Sequence, residues 1–191
     1  PNENRTPRIP EEVMTPLLAW SLRYVTHFSA DIFAARHELE RLEARRDRLI
    51  ARETGLDPAQ RRMRQRRRLS AYLAALRQQG RGGIDTHVSI DPDSGQPWRS
   101  RFDVKALALE ETMLQAAAYI VCAYLSGMRD SEIQAMKRGC LSVVRGEDGA
   151  ILRHRIRSTA YKGKRGGGQQ ADWVTIAPVA DAVAVLEQLS V

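Results

Sequence analysis

Arg129 stands in the run Gly127-Met128-Arg129-Asp130-Ser131-Glu132, directly after an apolar stretch of helical character. About thirty residues later, Lys162 and Lys164 lie in a Gly-rich loop between two segments that alternate like strands. An arginine held at a helix junction and a lysine carried on a hairpin tip suit the grip of one phosphate, because the guanidinium offers a planar fork of donors and the ammonium a compact charge. Glu132, one turn beyond Arg129, is placed to orient the guanidinium while it faces the phosphate. Taken singly, Arg129 would be a surface or capping residue and the lysines solvated hairpin charges. Taken in this order, they point to phosphoryl chemistry on DNA. Gly163, Gly166, Gly167 and Gly168 give the loop freedom to close over a duplex, but it lacks the Gly-Lys-Ser/Thr ending of a nucleotide-binding P-loop, which excludes an ATPase.

Several elements must position these residues. Pro10-Glu11-Glu12 opens a first helix, with Val13, Leu17, Trp20, Tyr24 and Phe28 at helical spacing as its buried stripe. From Asp31 a second helix carries Ile32, Ala35, Leu39, Leu42 and Leu49 on one face, and Gly55-Leu56-Asp57-Pro58 breaks it. A third begins near Pro58 and carries Leu69, Tyr72, Leu73 and Leu76. The stretch from Gly80 to Asp103 reads as a loop, with a short strand at Val88-Ser89-Ile90, and a loop of that length in a compact domain is generally functional. A strongly apolar helix over Leu107 to Ser126 fills the core and ends at Gly127 in a left-handed cap, and Asp130 or Ser131 caps a helix over 131–138. Leu141 to Arg145, Ile151 to Thr159 and Trp173 to Ile176 then form a small antiparallel sheet with Gly146-Glu147-Asp148-Gly149 as a tight turn, and Pro178 opens a last helix.

With 30 Lys+Arg against 23 Asp+Glu, a formal charge of +7 and a pI near 9.9, the chain favours a polyanionic partner. Arg61, Arg62, Arg64, Arg66, Arg67 and Arg68 place six arginines in eight positions with no acid among them. They form either a solvated helix face or a row of phosphate contacts. Arg165 beside the loop lysines joins the candidate DNA contacts.

Cys122 and Cys140 form neither a disulfide framework nor a metal site, which indicates a reducing, cytoplasmic setting. No apolar stretch approaches the roughly 20 residues that span a bilayer, and no signal-peptide pattern opens the chain. His154-Arg155-Ile156-Arg157 spells His-x-x-Arg inside an alternating strand and reads as strand surface. Tyr24, Tyr72, Tyr119 and Tyr124 read as core or amphipathic-face residues, and Tyr161, beside Lys162, as no nucleophile. Glu11, Glu12 and Asp31 have no spacing for acid-base pairing or for a metal.

The segment from Ala116 to Met136, an apolar helix ending in Ser126-Gly127-Met128-Arg129 and followed by Ser131-Glu132-Ile133, resembles the first active-site motif of the tyrosine recombinases, the phage-integrase family. Ile156 to Pro178 resembles that family's lysine hairpin, so the similarity extends over about 75 residues, 116–190. Pro10 to Ile32 and Gly95-Gln96-Pro97-Trp98-Arg99 are similar to integrases with an enlarged front half. The resemblance implies an α+β, mainly helical catalytic fold for DNA breaking and rejoining, with residues 1–104 as a helical front half and 105–191 holding the arginine motif, hairpin and following helix. It implies Arg129 as the first catalytic arginine, and Lys162, with Lys164 as the alternative, as the lysine that helps protonate the leaving 5′ oxygen. The implied partner is double-stranded DNA, with self-association on DNA, no membrane, no metal and no nucleotide cofactor. The family's later His-x-x-Arg, its second His or Trp and its nucleophilic tyrosine would lie beyond Val191, so the chain reads as a piece, truncated at its C-terminus, that would not cleave DNA alone. Competing readings are a non-catalytic DNA-binding protein that reuses the fold, and a structural helical protein whose motifs coincide by chance.

Overall fold

The computed structural model describes residues 9–52, 55–78, 84–161 and 167–190. Its elements are α1 (Glu11–Arg23), a π-helical turn (Tyr24–Phe28), α2 (Ser29–Ala51), α3 (Pro58–Gln78), α4 (Val104–Leu125), α5 (Asp130–Gln134), β1 (Leu141–Arg145), β2 (Ile151–Ala160), β3 (Gln169–Thr175) and α6 (Ala177–Leu189). The architecture is α+β and mainly helical, with one three-stranded antiparallel sheet in the order β1-β2-β3. The chain divides into two compact units, Pro1–Thr26 with Met113–Val191, and His27–Thr112.

In the unit His27–Thr112, α2 and α3 form a helical hairpin. Pro58 supplies the fixed φ of a first helical turn, and Asp57 caps α3: its Oδ1 accepts the backbone N–H of Ala59 at 2.7 Å and of Gln60 at 2.9 Å. Gln60 Oε1 in turn accepts the Asp57 N–H at 3.3 Å, which closes a reciprocal capping box. Leu69 and Leu73 of α3 pack on Leu42 of α2, and Gln65 Nε2 donates to Asp47 Oδ1 across the pair. Two details of the expected faces differ. Ile50 is buried where Leu49 was expected, and Tyr72 is exposed.

The long loop of the same unit is organised around one buried acid. Asp31 Oδ2 accepts the Ser89 backbone N–H at 2.6 Å and the Trp98 indole N–H at 2.8 Å, while Oδ1 accepts the Ser89 hydroxyl at 2.9 Å. Trp98 stacks on Phe28 with centroids 4.4 Å apart and meets Phe102 edge-on at 5.8 Å. The Arg99 guanidinium lies 4.5 Å from the Phe102 ring and reaches Glu110 at 2.7 Å. Val88-Ser89-Ile90 is therefore not a strand. The Ser89 N–H is spent on Asp31, and only isolated bridges, Ile84 with Phe102 and Ile90 with Pro97, form nearby.

In the other unit, the C-terminal part of α4 contributes buried Leu114, Ala118, Val121 and Cys122, and α6 contributes Val179, Ala182 and Val183. The sheet pairs Leu141 with Ile156 and Arg155 with Val174, with a bulge at Val144/Arg145. β3 begins at Gln169, four residues earlier than the apolar pattern suggested, because its first residues are polar and join β2 through the backbone ladder and through side chains, Gln170 Nε2 donating to Thr159 Oγ1 at 3.0 Å.

Two expectations about apolar helices are corrected. Val13, Leu17 and Trp20 are exposed, and no buried stripe runs from Val13 to Phe28. The inward side of α1 is a different one, where Ser21 is buried, and the π-helical turn at Tyr24–Phe28 shifts the helical phase only after it, before the buried Phe28. Helix α4, with 22 residues, is long and apolar enough by composition to cross a membrane. Its buried Leu114, Ala118, Val121 and Cys122 give it the apolar composition of a core helix as well.

Replacing Asp31 with Ala strands the Ser89 N–H and the Trp98 indole N–H in a buried setting, so unfolding free energy should fall by about 3 kcal/mol. Asp31→Asn, which keeps one acceptor oxygen, should lose less. Urea unfolding of the three proteins measures both, and an Asp31→Ala variant as stable as wild type would refute the role given to this residue.

Candidate functional site

Arg129 is positioned by the end of one helix and the start of the next. Gly127 takes φ +69°, a left-handed conformation that a side chain would strain, and ends α4. Ser126 Oγ accepts the Met128 N–H at 3.1 Å, and Met128 is buried, which pins the turn. Arg129 then occupies the N-cap of α5 in extended conformation, φ −78° and ψ 157°. Helix α5 is shorter than the expected 131–138, and neither Asp130 nor Ser131 caps it. The cap is Glu132, whose Oε2 accepts the Arg129 backbone N–H at 2.8 Å.

The same carboxylate aims the arginine side chain. Glu132 Oε1 accepts from Arg129 Nη1 at 3.0 Å. The Glu132 side chain is 3% exposed and that of Arg129 56%, so the acid is anchored inside while the guanidinium emerges into solvent. Ser158 Oγ of β2 donates to the Glu132 carbonyl at 2.6 Å and ties α5 to the sheet. Among the described residues, Arg129 engages Glu132 through Nη1 alone, which leaves the rest of its fork open to a ligand. Asp130 does not compete for it, being held by the Tyr119 hydroxyl and, at 3.0 Å, by Gln134 Nε2. That hydrogen bond raises the Tyr119 pKa, so this half-exposed phenol stays protonated and is a poor nucleophile.

Lys162, Lys164 and Arg165 lie outside the described residues, as do Gly163 and Gly166. The strands that flank them are described: β2 runs to Ala160 and β3 starts at Gln169. Gly168, at φ +102°, is required there, since a Cβ would sit 2.6 Å from Thr159 Cγ2 and 3.0 Å from the Tyr161 ring.

Sequence reasoning missed a second basic feature of this unit. Lys137, Arg138 and Arg157 line an open notch of about 230 Å³ together with Ser158, Thr159 and Gln170. Arg138 Nη2 donates to the Glu187 carbonyl at 2.9 Å and Glu187 Oε1 accepts the Gly139 N–H at 2.7 Å, so α6 holds the turn that carries the two cations. Lys137-Arg138-Gly139 directly after a short helix was the available signal.

The six arginines from Arg61 to Arg68 in α3 are exposed. By helical spacing Arg64 and Arg67 fall opposite the packed Leu69 and Leu73 and Arg61 to one side, whereas Arg62 and Arg66 fall nearer the packed side and Arg68 lines a small cavity with Leu42 and Leu69. His154 and Arg157 both lie on β2, three residues apart and therefore on opposite faces, so they cannot serve one site. Arg157 instead donates to Asp172 at 3.0 Å, and that guanidinium lowers the Asp172 pKa. Among the described residues no His/Cys/Asp/Glu group could hold a metal.

In comparisons with known proteins, no family model, no curated protein and no solved structure matches this chain.

Burial pushes the Cys122 thiol up to about 12 from an ordinary 9.0, and burial also raises Cys140. At pH 8 the Cys122 thiolate should be so scarce that alkylation by iodoacetamide runs roughly 10³-fold slower than in the unfolded chain. Because the folded pKa is the higher one, the associated stability is intact below pH 9 and is lost as pH rises from there toward 12. Cys122→Ala should flatten that alkaline decline, and timed alkylation with mass readout, native against denatured, checks the first part. Labelling at equal rates in the two states would contradict it.

Proposed function

We propose that this chain carries the phosphate-activating part of a tyrosine-recombinase catalytic domain and acts on double-stranded DNA. The observation that carries this reading is the Arg129–Glu132 pair. A buried, doubly used carboxylate fixes the backbone and one guanidinium nitrogen of an arginine whose remaining donors face solvent, which is the arrangement a transition-state charge donor needs. In the reaction so assigned, a tyrosine oxygen attacks the scissile phosphorus. A 3′-phosphotyrosyl link forms, the bond to the 5′ oxygen breaks, and that oxygen takes a proton. Arg129 stabilises the charge on the non-bridging oxygens, and Lys162, or Lys164 in its place, delivers the proton. Rejoining reverses these steps and conserves the phosphodiester energy, so the reaction uses neither ATP nor a metal. No tyrosine among residues 1–191 is assigned as the nucleophile, and site-specific integration is the use this chemistry would serve.

A non-catalytic DNA-binding protein on the same fold is the second reading, and it is favoured by α3, whose exposed arginines have no acid on their own helix to offset them.

Binding to duplex DNA should be weak, tolerant of sequence and steeply salt-dependent, since phosphate neutralisation supplies most non-specific affinity. Fluorescence-anisotropy titrations at several salt concentrations test this, and affinity indifferent to salt would sink it. Replacing Arg66, Arg67 and Arg68 with Ala should flatten the log-log salt slope by roughly 0.9 for each phosphate that is no longer neutralised. Arg129→Ala in a parent protein that contains the tyrosine should leave binding nearly unchanged and slow cleavage by about 10² to 10³. Normal cleavage by that variant would leave the second reading standing.

A further inference from the structure

Helix α1 presents Val13, Leu17 and Trp20 to solvent, at exposures of 50, 42 and 49%. Their i, i+4, i+7 spacing makes them one stripe. Isolated apolar residues are ordinary on a protein surface, whereas a contiguous stripe that includes an indole marks a contact face. The packed side of the helix is a different one: Ser21 is buried, and Met14, Leu18 and Leu22 line a shallow groove with Tyr124.

We propose that this stripe is a self-association surface, occupied by α1 of a second copy of the chain running antiparallel about a two-fold axis. The charge pattern of α1 selects that occupant. Its acids, Glu11 and Glu12, are confined to the first turn, and its base, Arg23, to the last. By helical spacing Glu12 and Arg23 fall on the same flank of the stripe. In an isologous antiparallel pair like flanks meet and the chain order reverses, so Glu12 faces the partner's Arg23 twice per dimer. With Glu12 opposite Arg23 the two-fold axis passes beside Leu17, and Trp20 enters the gap between Val13 and Leu17 across the interface. That is knobs-into-holes packing. The Arg23 guanidinium already lies 5.2 Å from the Trp20 ring, which keeps cation and indole on adjoining sides. A parallel pair would bring opposite flanks together, so Glu12 and Arg23 would not meet each other, and its helix dipoles would repel.

A helix of this length, about 20 Å, covers well under the roughly 800 Å² per partner of a standard interface, so the dimer is weak and concentration-dependent. The surface owes nothing to Arg129 or to the DNA reading, and DNA is left out of the test. Sedimentation equilibrium of the full chain over a wide concentration range should show reversible monomer and dimer. Leu17→Glu should leave monomer throughout. Glu12→Lys and Arg23→Glu should each weaken the dimer roughly tenfold, and the two together should restore it. Far-UV circular dichroism reports whether each variant keeps its helices, and Trp20→Thr serves as the stripe variant where Leu17→Glu does not. Monomer at every concentration, or a dimer indifferent to the stripe variants, overturns the surface. Failure of the charge swap to restore association overturns the antiparallel pairing.

Discussion

Glu132 is nearly closed to water, and a carboxylate so placed must find its compensation among donors within reach. It finds two on one residue, the backbone N–H and a guanidinium nitrogen of Arg129, and its own carbonyl is taken by Ser158. The constraint runs outward from there. For Glu132 to reach the Arg129 N–H, the chain must turn sharply after α4, which Gly127 permits with its left-handed backbone. For its carbonyl to meet Ser158, the short α5 must lie against β2, and this sets the sheet relative to the arginine within that unit. The solvent-facing guanidinium of Arg129 is thus the exposed end of a chain of satisfied buried groups.

The other unit repeats the principle with a different readout. Asp31 satisfies itself with donors 58 and 67 residues away along the chain, Ser89 and Trp98, and thereby folds an otherwise irregular segment onto α2. Here the burial orders a loop, whereas at Glu132 it aims a side chain. The difference lies in what the donors are attached to. Backbone and indole N–H groups end inside the protein, while a guanidinium has further donors to offer outside it.

This contrast explains what could be read from residues alone. Helix and strand periods, the Asp57-Pro58 start of α3, the Gly127 stop and the hairpin at Gly146 to Gly149 are local signals, and the elements appear where they indicate. Glu132 was legible as the orienter of Arg129 because it lies three residues away on the same helix. Asp31 was not, because its partners are remote and nothing in the spacing of Glu11, Glu12 and Asp31 announces them. Val88-Ser89-Ile90 misled for the same reason: its alternation is real, but its central N–H is claimed by a distant acid. The α1 stripe misled because apolar spacing marks a helix face without saying which face packs: Val13, Leu17 and Trp20 are exposed, while Ser21 is buried.

Charge adds a distinction that composition cannot make. Several α2 arginines have nearby acids on their own helix: Arg41 pairs with Glu38, Arg46 with Glu43 and Asp47, and Arg36 with Glu40. Exposed pairs of this kind add little stability, yet they cancel the field that would draw a polyanion. Helix α3 has no acid along its length, although it packs on that same α2. The net positive charge is therefore distributed unevenly between these neighbouring helices, since α2 carries acids among its arginines and α3 carries none. The arginine run of α3 and the carboxylate-held guanidinium of Arg129 are separate features in separate units, one a cluster of cations with no acid on its own helix and the other a single cation fixed by a buried acid.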